Sequence, residues 1–249
     1  MQLFTGDFNP ILIAAAVIPA IILMILVYKT DKLEREPIGS LIRLVFYGML
    51  STLLASALET AGEFLLGLFC RSEAVYRILL YVVIVGIGEE LCKFLLLKTR
   101  TWTLESFNCR YDGVVYAAFI ALGFALWENI QYVLLYGFDT ALIRAVTAVP
   151  GHCSFGVFMG IWYGSARQAA ADGDDAKARR ALFLSVLLPG LVHGAYDLIA
   201  TSETDLSLLF IPCVLVIFVL AYLNVKKASK NDEYFSDAVL GAEDFEDHD

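Results

Sequence analysis

The chain has 249 residues, is 59% hydrophobic and carries a formal net charge of −9. An ordinary soluble domain is about 45–50% apolar, and the excess here lies in long runs instead of amphipathic stripes, which excludes a water-soluble globule. From Lys226 onward three lysines face eight acidic residues and account for −5 of the charge, so the acidity belongs to the tail, and nothing basic enough for nucleic acid is present.

About 20 apolar residues cross a bilayer as a helix. The runs therefore predict an all-α, polytopic transmembrane bundle with about seven spans, at 10–28, 41–69, 78–98, 113–136, 140–165, 181–200 and 207–225. The first run is too long, and too weakly cationic at its front, for a cleaved signal peptide. It is read as a retained span. The second exceeds one simple crossing. It either tilts or ends near Ala61-Gly62 and continues along the interface, which keeps an eight-span reading open. After the third span, the segment 101–112 mixes aromatics with charges and is expected at the membrane interface. The longest loop, 166–180, is a polar turn. Residues 1–225 are expected to form a single transmembrane domain, and 226–249 an acidic, disordered cytoplasmic tail.

Lysine and arginine set the orientation. Alternate connecting regions hold 14 of these cations against 3, with Lys93 left inside a span. The amino terminus is thus expected outside and the carboxyl terminus inside. The five cysteines show no CxxC pair and no zinc-ribbon spacing, and small apolar packing residues suffice to explain them.

An ionisable group at mid-bilayer costs at least ~2.5 kcal/mol on insertion scales. Four consecutive spans nevertheless contain such groups: Glu89, Glu90 and Lys93 in the third, Glu128 with Asn129 in the fourth, His152 in the fifth, and His193 with Asp197 in the sixth. At ~1.5 Å per residue, Glu90 and Glu89 lie about 12–14 Å from the cytoplasmic edge, the histidines about 18–20 Å, and Glu128 and Asp197 about 22–24 Å. Their levels overlap, so these groups must face one another or a water-filled cavity. Lys93 stands i+4 from Glu89 and i+3 from Glu90, which lets it pair with one carboxylate and leaves the other for chemistry. His193 and Asp197 are i,i+4, so the acid can orient the imidazole or share a ligand with it. Pro150 and Gly151 are expected to weaken the helix just before His152. The structural alternatives are a plain Glu90–Lys93 ion pair, a helix–helix hydrogen bond at His152, and rim positions for Glu59 and Glu63.

These residues resemble the PrsW family of intramembrane proteases, within the broader group that includes the CAAX prenyl and bacteriocin-processing proteases. The resemblance rests on Glu89-Glu90-x-x-Lys93, on Phe124-x-x-x-Glu128 followed by Asn129, and on the later His152 and His193 with Asp197, across about 81–200. It implies an intramembrane endopeptidase that cuts in or near the membrane segment of single-span membrane proteins. Bacterial members are associated with site-1 cleavage of anti-sigma factors in envelope-stress signalling, in the cytoplasmic (inner) membrane. The competing classes are a transporter or channel, whose broken-helix repeats are not visible, and a non-catalytic scaffold.

For hydrolysis, Glu89 or Glu90 serves as the base, with Lys93 keeping the partner ionised. Two ways of polarising the carbonyl stay open. In one, Glu128, His152 and His193 bind Zn2+ with an open position for water. In the other no metal binds, and His152, His193 and Asn129 donate to the oxyanion.

Overall fold

A computed structural model describes residues 10–235. Its α-helices are α1 (Pro10–Thr30), α2 (Ile38–Phe69), α3 (Glu73–Ile78), α4 (Gly88–Thr101), α5 (Arg110–Tyr136), α6 (Phe138–Val146), α7 (Ala148–Ala171), α8 (Asp175–Ala200) and α9 (Phe210–Lys230). A π-helical segment, Leu79–Ile87, joins α3 to α4, and a 3-10 turn, Asp205–Leu209, precedes α9. Extended pairing among the described residues is limited to an isolated bridge between Cys109 and Tyr234.

Among the described residues six stretches are long and apolar enough to cross a membrane: α1, α2, α5, the α6–α7 stretch Phe138–Ala171, α8, and Asp205–Lys230 containing α9. The remaining expected span, at 78–98, is unbroken helical chain through α3, the π segment and α4. Glu89, Glu90 and Lys93 set it apart from the apolar six. The second run is one helix of 32 residues. At ~1.5 Å per residue it reaches about 48 Å, more than the ~30 Å hydrocarbon core. The expected weak point at Pro150 and Gly151 lies elsewhere. The chain breaks at Thr147 (φ −122°, ψ −71°), between α6 and α7. Pro150 falls in the first turn of α7, where its missing N–H costs no helical hydrogen bond.

At the centre, α5 is buried along most of its length from Tyr111 to Ala125. It packs on α7 through glycines: a Cβ on Gly160 would run into the backbone of Gly113 and Val114. The π segment meets α8 in the same way, Gly86 lying directly on the backbone of Gly190 and Gly194. Without a hydrophobic drive between helices in lipid, such small-residue seams let backbones approach and dispersion hold them. The second seam brings the turn before Glu89 against the turn that carries His193.

Side-chain bonds sort the connections into two ends. Ser229 Oγ donates to Thr30 O (2.6 Å), Asn108 Nδ2 to Glu34 Oε2 (3.3 Å), and an Arg110 guanidinium nitrogen to Ser165 Oγ (3.0 Å). At the opposite end Arg77 donates to Thr201 O (2.7 Å). The cation-rich segments therefore share one end, the cytoplasmic one by the positive-inside rule. Here 101–112 folds under the bundle: Phe107 is fully buried and stacks on Tyr163 with centroids 5.1 Å apart. The expected tail boundary at 225 falls inside α9. Asp232 Oδ1 accepts from Tyr111 N (2.9 Å), and Phe235 is buried beside Phe107. Residues 236–249, the remainder of the expected tail, lie outside the described residues.

Asp31, between α1 and α2, is 1% exposed, and neither carboxylate oxygen has a hydrogen-bond partner. Burial first, then Asp232 and Glu36, push its pKa up to about 7, partly offset by Arg35. A carboxyl held above its unfolded value costs stability once it must ionise. The cost sets in above the unfolded value near pH 4, grows until about pH 7 and stays in full above that. Asp31→Asn is therefore expected to raise the melting temperature above pH 7 and to leave it unchanged at pH 4. Melts of detergent-solubilised protein at both pH values check this, and an equal shift at each would trace the effect to packing.

Candidate active site

Glu89 and Glu90 lie in the first turn of α4, directly after the π segment, and Lys93 follows one turn later. The Lys93 ammonium is the hub. It donates to Glu90 Oε1 (2.6 Å) and Glu89 Oε2 (3.1 Å), lies 3.2 Å from His152 Nδ1, and sits 3.9 Å above the centre of the Phe124 ring. The sequence left open which carboxylate it pairs with; it touches both. Lys93 and Glu90 are fully buried, Glu89 is 6% exposed, His152 4% and His193 3%. Buried charges persist only when paired, and here one ammonium serves two carboxylates.

Each histidine presents one nitrogen to this hub and the other to an outer carboxylate. His193 Nδ1 lies 3.1 Å from Glu90 Oε1, and its Nε2 lies 3.2 Å from Asp197 Oδ2. His152 Nδ1 faces Lys93, and its Nε2 lies 2.8 Å from Glu128 Oε2. The rings stand edge to face, 5.1 Å apart, and Phe155 stacks on His193 at 4.6 Å. Imidazoles fixed from behind by carboxylates are the arrangement that orients histidines in metal centres. Ligand atoms of Glu89, Glu90, His152 and His193 lie within 4.8 Å of one another, the one such buried set among the described residues.

Glu128 stands outside that set. The same Oε2 that meets His152 also accepts from Arg144 (2.8 Å). Asn129 is turned away from the cluster: its Oδ1 accepts from Arg144 Nε (3.1 Å), and its Nδ2 donates to Ala16 O (2.8 Å). In the sequence Arg144 marks only the topology. Its signal was present, since a cation within a span seeks a carboxylate, but the break at Thr147 that swings α6 back over Glu128 is not written in any local pattern.

Glu59 also departs from expectation. Read as a rim residue, it is half-buried on α2 beside the turn that carries Glu89. Leu58 touches the α carbon side of Gly88, so α2 is pressed against the turn that carries Glu89. Glu59→Gln, which keeps a donor, is expected to retain most activity, whereas Glu59→Leu should lower kcat by about tenfold or more, as changes behind a catalytic group do. Steady-state cleavage with the two variants checks this, and equal rates would return Glu59 to the rim.

Residues 36–223 match the model of a family described as PrsW family intramembrane metalloprotease. The chain belongs to the PrsW family. Relatives include Protease PrsW of Oceanobacillus iheyensis, 32% identical over 223 residues, covering 88% of this chain and 97% of the relative. Protease PrsW of Bacillus subtilis is 31% identical over 219 residues, covering 87% and 95%. That of Clostridioides difficile is 32% identical over 221 residues, covering 86% and 89%. No solved structure matches the chain. As a PrsW family member the protein is an intramembrane protease and an integral, multi-pass membrane protein, which answers the choice between protease, transporter and scaffold. The PrsW matches cover both the Glu89–Lys93 turn and the two histidine helices, so the motif residues and the family fall on the same part of the chain.

Proposed function

We propose that the protein hydrolyses a peptide bond in or beside the membrane segment of single-span proteins of the bacterial cytoplasmic membrane, with anti-sigma factors as the substrate class and site-1 cleavage in envelope-stress signalling as the role. The observation that carries the hydrolytic part is the meeting of Glu89, Glu90, His152 and His193 around the buried Lys93 ammonium. The substrate class rests on the motif resemblance.

Glu89 is assigned as the base. Glu90 is committed to Lys93 and His193 at 2.6 and 3.1 Å, while Glu89 is held less tightly, at 3.1 Å from Lys93 and 3.9 Å from His193, and has some exposure. Glu89 takes a proton from water as the new C–O bond forms. It returns that proton to the amide nitrogen as the C–N bond breaks, so atoms and charge balance. Lys93 fixes both carboxylates and His152 in place for this.

The donor set fits a metal. Two imidazoles and a carboxylate are zinc ligands by type, and Glu90 Oε2 is a buried acceptor with no partner. His152, His193 and Glu90 would hold the ion, with Glu128 and Asp197 orienting the imidazoles from behind. The chemistry an ion supplies there is polarisation of the scissile carbonyl and of the attacking water.

The test is cleavage of a reconstituted single-span substrate by the purified protein, with and without chelator, alongside elemental analysis. About one zinc per chain is expected, lost with activity on chelation or in His193→Ala, and largely kept in Glu128→Gln. Active protein without stoichiometric metal would sink the zinc assignment and leave a glutamate-type site. Absence of cleavage of any anti-sigma factor, with other single-span proteins cut, would remove only the substrate class.

A further inference from the structure

The cytoplasmic end of the α2–α4 seam holds a cavity of about 250 Å³ lined by Ser40, Arg43, Leu44 and Tyr47 of α2, Thr99 and Arg100 of α4, and Leu104 beyond it. A water occupies about 30 Å³ of liquid, so the space takes a group the size of a phosphate with its ester carbons. Its donors are two guanidinium groups and the hydroxyls of Ser40 and Tyr47, while the Thr99 hydroxyl donates to Leu95 O (2.8 Å) within its own helix. Arg43 bends toward the start of its own helix, donating to Ser40 Oγ (3.1 Å) and Gly39 O (3.3 Å). Arg100 lies over the Tyr47 ring, 4.5 Å from its centre. Among the described residues neither arginine has a carboxylate partner. The amino end of α2 has no side-chain cap and no acidic residue in its first turn, so its helix dipole adds positive potential to the same place.

The apolar surroundings decide between a soluble phosphate and a lipid. At helical spacing the cavity wall continues down α2 from Arg43 and Tyr47 to Leu50 and Leu54, and back along α4 from Thr99 to Leu95 and Leu91. All four leucines are exposed, at 36–49%. A headgroup seated on the arginines would lay its acyl chains along this leucine-lined seam. We infer that the Arg43–Arg100 cavity is a binding site for the phosphate headgroup of an anionic phospholipid. Arginine forks match phosphate oxygens in pairs, and basic pockets between spans on the cytoplasmic side suit such headgroups. Occupied, the site clamps α2 to α4, the helices that carry Glu59 and the Glu89–Glu90 pair.

The experiment uses the full chain, stripped of lipid in detergent. It measures phosphatidylglycerol and phosphatidylcholine retention by native mass spectrometry and their effect on the melting temperature. The wild type is expected to bind phosphatidylglycerol at least about tenfold more tightly than phosphatidylcholine, a preference of ~1.4 kcal/mol or more. The double variant Arg43→Gln/Arg100→Gln should lose that preference. Arg100→Lys, which keeps the charge without the fork, should fall between. Arg179→Gln/Arg180→Gln, on the same face at the exposed start of α8, should bind as the wild type does. Equal binding of both lipids, or unchanged binding in the double variant, would overturn the proposal. Stabilisation by inorganic phosphate alone, matching that of phosphatidylglycerol, would also overturn it in favour of a soluble phosphate site.

Discussion

Glu89→Gln is expected to lower kcat for peptide cleavage by about 10²–10⁴-fold, the usual worth of a positioned general base, while the protein inserts and accumulates as the wild type does. Glutamine has the same shape, and its carbonyl oxygen still accepts from Lys93, so the hub survives. What disappears is the group proposed to take the proton from water. Glu90→Gln differs in kind. It weakens the shortest contact at the hub, 2.6 Å to Lys93, and the 3.1 Å contact to His193, so both activity and thermal stability should fall. Glu63→Gln, on the exposed side of α2, should leave both unchanged. Single-turnover cleavage and a melting curve on the three variants separate these outcomes. A Glu89→Gln protein that cuts at the wild-type rate would end the proposed mechanism.

Lys93→Met is expected to destabilise the protein by about 3–5 kcal/mol, because removing one partner of a buried ion pair strands the other. Two buried carboxylates are stranded here. Methionine fills similar volume, so cavity formation adds little. The double variant Lys93→Met/Glu90→Gln should recover part of the loss, since one stranded charge goes with its partner, and contacting residues of this kind are not additive. Denaturation of the wild type, both single variants and the double variant in one detergent closes the cycle. Simple additivity would mean that the 2.6 Å contact carries no coupling. Activity should stay absent in both variants that carry Lys93→Met, which makes stability the informative readout.

These two predictions draw on different sources. That Glu89, Glu90, Lys93, His152 and His193 belong together was legible in the sequence. Charged and imidazole groups at overlapping depths of consecutive apolar spans have no stable alternative to meeting one another. The all-helical bundle was legible for a related reason: in lipid every backbone polar group must be satisfied within its own segment, so runs of apolar residues become helices. The grouping of connections at two ends followed from the cation alternation.

Only the packing of the helices decided the rest. Lys93 bridges both glutamates because its rise and turn place it above each, yet its contact with His152, 59 residues away, depends on the α5–α7 glycine seam. Glu128 becomes a backing group for His152 because Arg144 folds over it, and that follows from a break at Thr147 that the Pro150-Gly151 pair pointed toward but did not locate. Glu59 comes beside the Glu89 turn because α2 presses Leu58 onto Gly88. Hydropathy and spacing report the depth and face of each residue within its own helix. How helices are rotated and shifted against each other is set by where their small residues let the backbones touch, and that is a property of pairs of segments far apart in the chain.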